Sequence, residues 1–197
     1  MKFSTISMRA ALASLAAIAA LQMSAASAMA ATVWQVVPEK SRIAFSGTHA
    51  GRAFTGTFQS WQADIAFDPN DLANSKALVT VDLASAVTGD ATYDKTLPTA
   101  DWFNISAVAQ STFVTTGITT ADGGKTFTAE GNLSIRGVEV PVTLAFSFTE
   151  SGNEAQLEGT ATLKRLDFGI GKGSDAEGAW VSLDIPVTVS VALKRTP

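Results

Sequence analysis

In the 197-residue chain the residue types most often used for acid–base and thiol chemistry are scarce. It has one histidine and no cysteine, which removes thiolate nucleophiles, disulfides, iron–sulfur clusters and Cys-bound zinc together. The lone imidazole, His49, stands close to Gly51 and Arg52. A general base needs a nucleophile within hydrogen-bond reach and a carboxylate to orient its ring, and spacing alone identifies neither. A single imidazole is also too little for a zinc site of three or four N/S ligands. A strand-end histidine bonded to a backbone carbonyl is the favoured role, with contact to a ligand head group as the alternative. Arg165 and Asp167 alternate with Leu166 and Phe168, which suits a paired-charge brace, and Arg136 between Ile135 and Gly137 suits a turn. Either guanidinium has the fork geometry to hold a pyrophosphate; Arg165 is preferred because Phe168 and Gly169 adjoin it. Asp68-Pro-Asn-Asp71 lacks the spaced ligands of a calcium loop and reads as a turn. Lys172-Gly-Ser-Asp-Ala-Glu177, after Gly169-Ile-Gly171, reads as a flexible loop able to gate an opening.

The elements that must position these residues are nearly all strands. From Thr32 onward the dominant hydrophobic period is two. Ile43 and Phe45 share a face, as do Ile65 with Phe67, and Val79 with Val81 and Leu83. Phe127, Ala129, Gly131, Leu133 and Ile135 form another, and Val142 to Phe148 alternates without a break. Leu157, Gly159, Ala161 and Leu163 answer it, and Val187, Val189, Val191 and Leu193 close the series. Alternation over so many strands gives a sheet with one apolar face and one wet face. In one domain, that means a sandwich or a closed antiparallel barrel. One segment departs: Tyr93 and Leu97 lie four apart before Pro98, which predicts a short helix over 91–97 and then a loop carrying Trp102 and Phe103. The inward Gly56, Gly131, Gly159 and Ala161 either follow a barrel's taper or leave a cavity.

Composition narrows the setting. Hydrophobic residues make up 46% and charged residues 16% of the chain. The longest uncharged apolar stretch, Ala10 to Ala31, follows Lys2 and Arg9 and ends in Ala28-Met29-Ala30. A basic start, a short apolar run and a small-residue end have the form of a secretory signal peptide, with cleavage expected after Ala30. The domain then spans 31–197, and export from a Gram-negative cell would deliver it to the periplasm. Losing Lys2 and Arg9 leaves twelve basic against eighteen acidic residues, a net charge of −6 in place of −4. That acidity argues against nucleic acid as a partner, and the short apolar runs argue against stable membrane insertion. A homodimer is compatible with an apolar rim at the barrel mouth, but no residue pattern requires one.

Several stretches in colinear order resemble the YceI-like family of exported bacterial proteins. They are Trp34-Gln-Val-Val-Pro-Glu-Lys-Ser-Arg-Ile-Ala-Phe45, His49 with Gly56-Thr-Phe58, Ser85-Ala-Val-Thr-Gly89, and Leu97 with Asp101-Trp-Phe-Asn104. Gly131-Asn-Leu-Ser-Ile-Arg-Gly-Val-Glu-Val-Pro-Val-Thr-Leu144 is the most specific, and Arg165-Leu-Asp-Phe-Gly-Ile170 follows it. Trp102 stands where the family has a Phe, and Thr92-Tyr-Asp-Lys95 departs from its basic–acidic pair. The resemblance implies an all-β, lipocalin-like closed antiparallel β-barrel with one short helix and an apolar lumen. It further implies that the lumen binds a long-chain isoprenoid lipid, either a polyisoprenoid or a prenyl quinone, with no cofactor, metal or catalytic residue. The residues expected to line such a site are Phe45, His49, Phe54, Phe58, Val79, Val81, Trp102, Phe103, Leu144, Phe146, Phe148, Arg165 and Phe168. The rival functions are an enzyme acting on a lipid with His49 as base, and an interaction module for a membrane redox partner.

Overall fold

The computed structural model describes residues 31–196; the expected leader and its cleavage point lie outside them. The described chain forms β1 (Val33–Val36), β2 (Arg42–His49), β3 (Arg52–Phe58), β4 (Trp61–Ala66), β5 (Lys76–Asp82), β6 (Ala86–Val87), α1 (Ala91–Thr96), β7 (Gln110–Thr119), β8 (Phe127–Ile135), β9 (Val138–Ser151), β10 (Glu154–Lys164) and β11 (Asp184–Arg195). These strands make one antiparallel sheet that closes on itself, because β11 pairs with both β10 and β1.

The eleven strands act as eight staves. A 3-10 turn at Pro38–Lys40 divides β1 from β2, yet both halves pair with β11. Gln59 and Ser60 separate β3 from β4, and Leu83–Ser85 separates β5 from β6. Each upper half pairs with an upper half and each lower half with a lower one: β2 with β3 and β3 with β6, β1 with β4 and β4 with β5. The result is an up-and-down barrel of the size whose interior holds either packed side chains or one small ligand.

Turn chemistry sets the register of two hairpins. Ala50 and Gly51 have φ of 49° and 75°, and Arg136 and Gly137 have 58° and 79°. Positive φ at both central residues gives the turn whose twist matches the flanking strands. The predicted helix is present as α1, one residue shorter than expected; Asp90 caps it, accepting from the backbone N–H groups of Thr92 and Tyr93. β7 has no counterpart in the hydrophobic periodicity. A bulge between Thr115 and Gly117 inserts one residue, so Phe113 and Ile118 reach the same interior despite their odd spacing.

The lower end is filled. Trp34, Phe67, Phe127 and Leu193 are at most 2% exposed there. Phe67 meets Phe127, Phe146 and Phe148 edge-on with centroids 5.1, 5.5 and 4.7 Å away. The Trp34 indole N–H donates to the Phe67 carbonyl at 2.9 Å, so its polar atom is satisfied inside the plug. The upper end is crossed by α1 and by the segments 97–109 and 165–183.

Candidate functional site

Above the aromatic plug the barrel is hollow. A lower cavity of about 170 Å³ is lined by Ile65, Phe67, Val79, Val81, Leu144, Phe146 and their neighbours. A middle cavity of about 160 Å³ is walled by Phe45, Phe54, Phe58, Phe103, Phe168 and others. The two share Ile43, Val81, Leu133, Leu163 and Val187. An upper chamber of about 150 Å³ lies between α1 and the β2–β3 hairpin, and shares Phe45, Phe54, Leu97, Trp102 and Val181 with the middle one. The three follow one another from the plug to the top, each neighbouring pair sharing apolar wall residues. Val79, Val81, Leu144 and Val187 face inward yet keep intermediate exposure, because their neighbours across the barrel are empty space.

Of the two sequence expectations for the inward glycines, the structure fits the cavity. A Cβ on Gly56 would lie 2.2 Å from the Phe45 ring, one on Gly131 2.6 Å from the Phe113 ring, and one on Gly159 3.1 Å from the Phe146 Cβ. Phe45 is the cross-strand partner of Gly56, and Phe146 that of Gly159. At Gly56 and Gly131 the missing side chain lets an aromatic ring from the next strand lie against the wall instead of projecting across the lumen. The glycines therefore preserve the hollow by giving the aromatics somewhere else to pack.

At the top, the chain's only histidine meets its only tyrosine. His49 Nδ1 and the Tyr93 hydroxyl are 2.9 Å apart, and their rings pack edge-on at 5.2 Å. His49 thus bonds a side-chain hydroxyl and not the backbone carbonyl expected from sequence. The helix that breaks the β pattern supplies this partner. Trp180, 61% exposed, lies tilted against the imidazole at 6.5 Å.

The two arginines are braces. Arg165 is 2% exposed and pairs with Asp175 at 2.8 Å, not with the exposed Asp167. It also donates to the carbonyls of Ile170, Asp175, Val181 and Ser182. Burial pushes the Asp175 carboxyl up, but the amides of Val181 and Trp180 and the Arg165 charge outweigh that and hold it below its usual value. Arg136 donates to the carbonyls of Ala100, Asp101 and Gly169. The segment 172–177, expected to be a flexible gate, is pinned. Asp101 accepts from the backbone N–H groups of Gly173 and Ser174 at 2.7 and 2.9 Å, and from the Ser174 hydroxyl at 2.6 Å. The hydroxyl bond chiefly lowers the Asp101 pKa, against partial desolvation.

Comparison with known proteins agrees with this architecture. The model of the YceI-like domain matches residues 34–193. The chain belongs to the YceI-like family. A UPF0312 protein of Pseudomonas savastanoi pv. phaseolicola is 32% identical over 173 residues, covering 83% of this chain and 88% of that protein. The crystal structure of Burkholderia cenocepacia BcnA superposes with a TM-score of 0.76 at 26% identity, over 80% of this chain and 99% of that one. A polyisoprenoid binding domain from Saccharophagus degradans shares the fold with a TM-score of 0.66 at 13% identity, over 84% of this chain and 99% of that one.

Within this YceI-like barrel, twelve of the thirteen residues singled out from the sequence border the three cavities. Phe148 does not; it packs on Trp34 and Phe67 inside the plug. Alternation correctly places Phe148 inward but carries no information on height along the barrel. Tyr93, Thr88, Thr92 and Thr96 also line the upper chamber and were absent from the expected set. Their one signal was Tyr93 in the segment of helical spacing, whose position over the β2–β3 hairpin is a tertiary matter.

Proposed function

We propose that this YceI-like protein is a non-enzymatic carrier of a long-chain isoprenoid amphiphile, acting in the periplasm after removal of its leader. The observation that carries the proposal is the series of largely apolar cavities stacked above an aromatic base. Burying methylene-sized groups is worth about 0.8 kcal/mol each, so ten of them supply about 8 kcal/mol before the costs of association. A single-ended tunnel takes the tail and leaves the head at the top. The S. degradans domain of the same fold, named for polyisoprenoid binding, supports this class of ligand. Against a lipid-acting enzyme stands the partner of His49, a tyrosine where a general base would have an orienting carboxylate.

Native mass spectrometry and lipid extraction of protein purified from its own exported fraction test the proposal. The expected result is a co-purifying isoprenoid amphiphile on a chain starting at Ala31. Protein that is lipid-free, or that turns over a lipid in a His49-dependent way, would overturn it.

A further inference from the structure

Resting on that carrier function, we infer that the barrel has a second way out, low in its wall between β5 and β7. Through it the far end of a tail too long for the lumen emerges onto an apolar track on the outer face. The tunnel is single-ended only while this seam is shut.

The seam is a break in the hydrogen-bond ladder. β10 and β11 pair over eleven residues each, β5 and β7 over only five, and the β5–β7 ladder ends at the Leu78–Val114 rung. Below that rung lies the bulge between Thr115 and Gly117, a feature that bends its strand. There the Thr115 hydroxyl stands in for a backbone partner, accepting from the Ala77 N–H at 2.8 Å and donating to the Ala77 carbonyl at 3.3 Å. Beside it Leu72 and Ile118 pack against the plug. A wall held by one hydroxyl and by side-chain packing opens at lower cost than a full ladder.

The seam has apolar space inside it and an apolar track outside. The lower cavity is bordered at this height by Ala77, Thr115 and Ile118, and also by Lys76, which is exposed. The plug blocks the straight continuation downward, so a long tail that reaches Phe67 must fold back or turn aside. On the outer face Leu78 and Val114 are cross-strand partners and still 40% and 46% exposed. Val33, 54% exposed, lies on the same face in the row of Ala66 and Lys76. Three of the seven large apolar side chains exposed among the described residues thus gather around the seam. Hydrocarbon leaving the wall here passes onto apolar side chains and not directly into water. Asp64 opposite Leu78 and Asn132 opposite Val114 frame the track.

The chain holds no cysteine, so a Leu78→Cys variant takes a single environment-sensitive fluorophore; Thr160→Cys, exposed on β10, is the control. Delipidated protein is titrated with geranylgeraniol and with solanesol, a prenyl alcohol more than twice as long, and native mass spectrometry counts bound molecules and subunits. Solanesol is expected to shift the emission at position 78 to the blue, geranylgeraniol to leave it unchanged, and neither to affect position 160. In an unlabelled Leu78→Ser, Val114→Ser variant, solanesol should bind about tenfold more weakly and geranylgeraniol within about twofold of the unsubstituted protein. Solanesol that fails to bind where geranylgeraniol does, or that binds without a shift at position 78, overturns the inference while the carrier function stands. Equal shifts from both alcohols overturn it too, since length would then play no part. So does a shift that comes with a dimer in the mass spectrum, which puts a second copy on the track. If neither alcohol binds, the carrier function itself falls.

Discussion

The two ends of this barrel use the same kinds of residue to opposite effect. At the lower end Phe67, Phe127, Phe146 and Phe148 point at one another and, with Trp34 and Leu193, leave no passage. Higher up, Phe45, Phe54, Phe58 and Phe103 pack along the wall, some over glycines, and leave the axis open. Aromatic content therefore does not distinguish core from binding site. What distinguishes them is whether the rings meet one another across the axis or pack along the wall.

The largest effect that could break this contrast is on stability. Phe67→Ala should cost about 3–5 kcal/mol, as for a large ring removed from a packed core. Phe54→Ala, the same chemistry beside a void, should cost about 1–2 kcal/mol, since fewer contacts are lost. Denaturant midpoints of lipid-free protein check both; equal losses would mean that the lumen is filled in solution. Next, an isoprenoid alcohol at a hundredfold over its Kd should stabilise the protein by about 2.7 kcal/mol. The added protection from hydrogen exchange should fall on β2, β3 and α1 and spare the plug. Gly56→Ala sharpens the role of the glycines. It should cost about 1–2 kcal/mol by forcing the Phe45 ring inward, and should weaken ligand binding about tenfold in a titration, because the displaced ring occupies the tail's path.

The smallest effect is on the response to acid. The lowered pKa values of Asp101 and Asp175 mean that their ionised forms stabilise the fold. That stabilisation is complete above the ordinary carboxylate value of 3.8 and is lost as pH falls through the still lower folded values. Amide exchange in 171–183 should rise below about pH 4, before that of the plug, which is held by buried apolar side chains. Simultaneous opening of both ends would show that the cap and the plug are one cooperative unit.

Strand existence was legible because one face of each stave meets an apolar interior and the other meets water. β7 escaped because its bulge at Thr115 reverses the alternation halfway along, and β1 because four residues are too few to show a period. The wall residues of the lumen were legible as inward positions, but Arg165 was paired with the wrong aspartate. Asp167 is its neighbour in the chain; Asp175 comes back only through the turn at Gly169 and Gly171, both at positive φ. His49 was visible as the single imidazole, while its hydrogen-bond partner lies forty-four residues away on a separate element.

The amino-acid order by itself determined an antiparallel, alternating, cysteine-free domain, the place of its one helix and the family it resembles. Those properties follow from local period and from motifs short enough to sit in one element. Only the tertiary structure decided which inward residues plug the base and which border the hollow, and that the loop 172–177 is tied down. It also decided that His49 faces Tyr93 across the top. Each of these depends on height along the barrel and on what the opposite stave presents. Neither quantity is encoded in the period-two pattern that builds the wall.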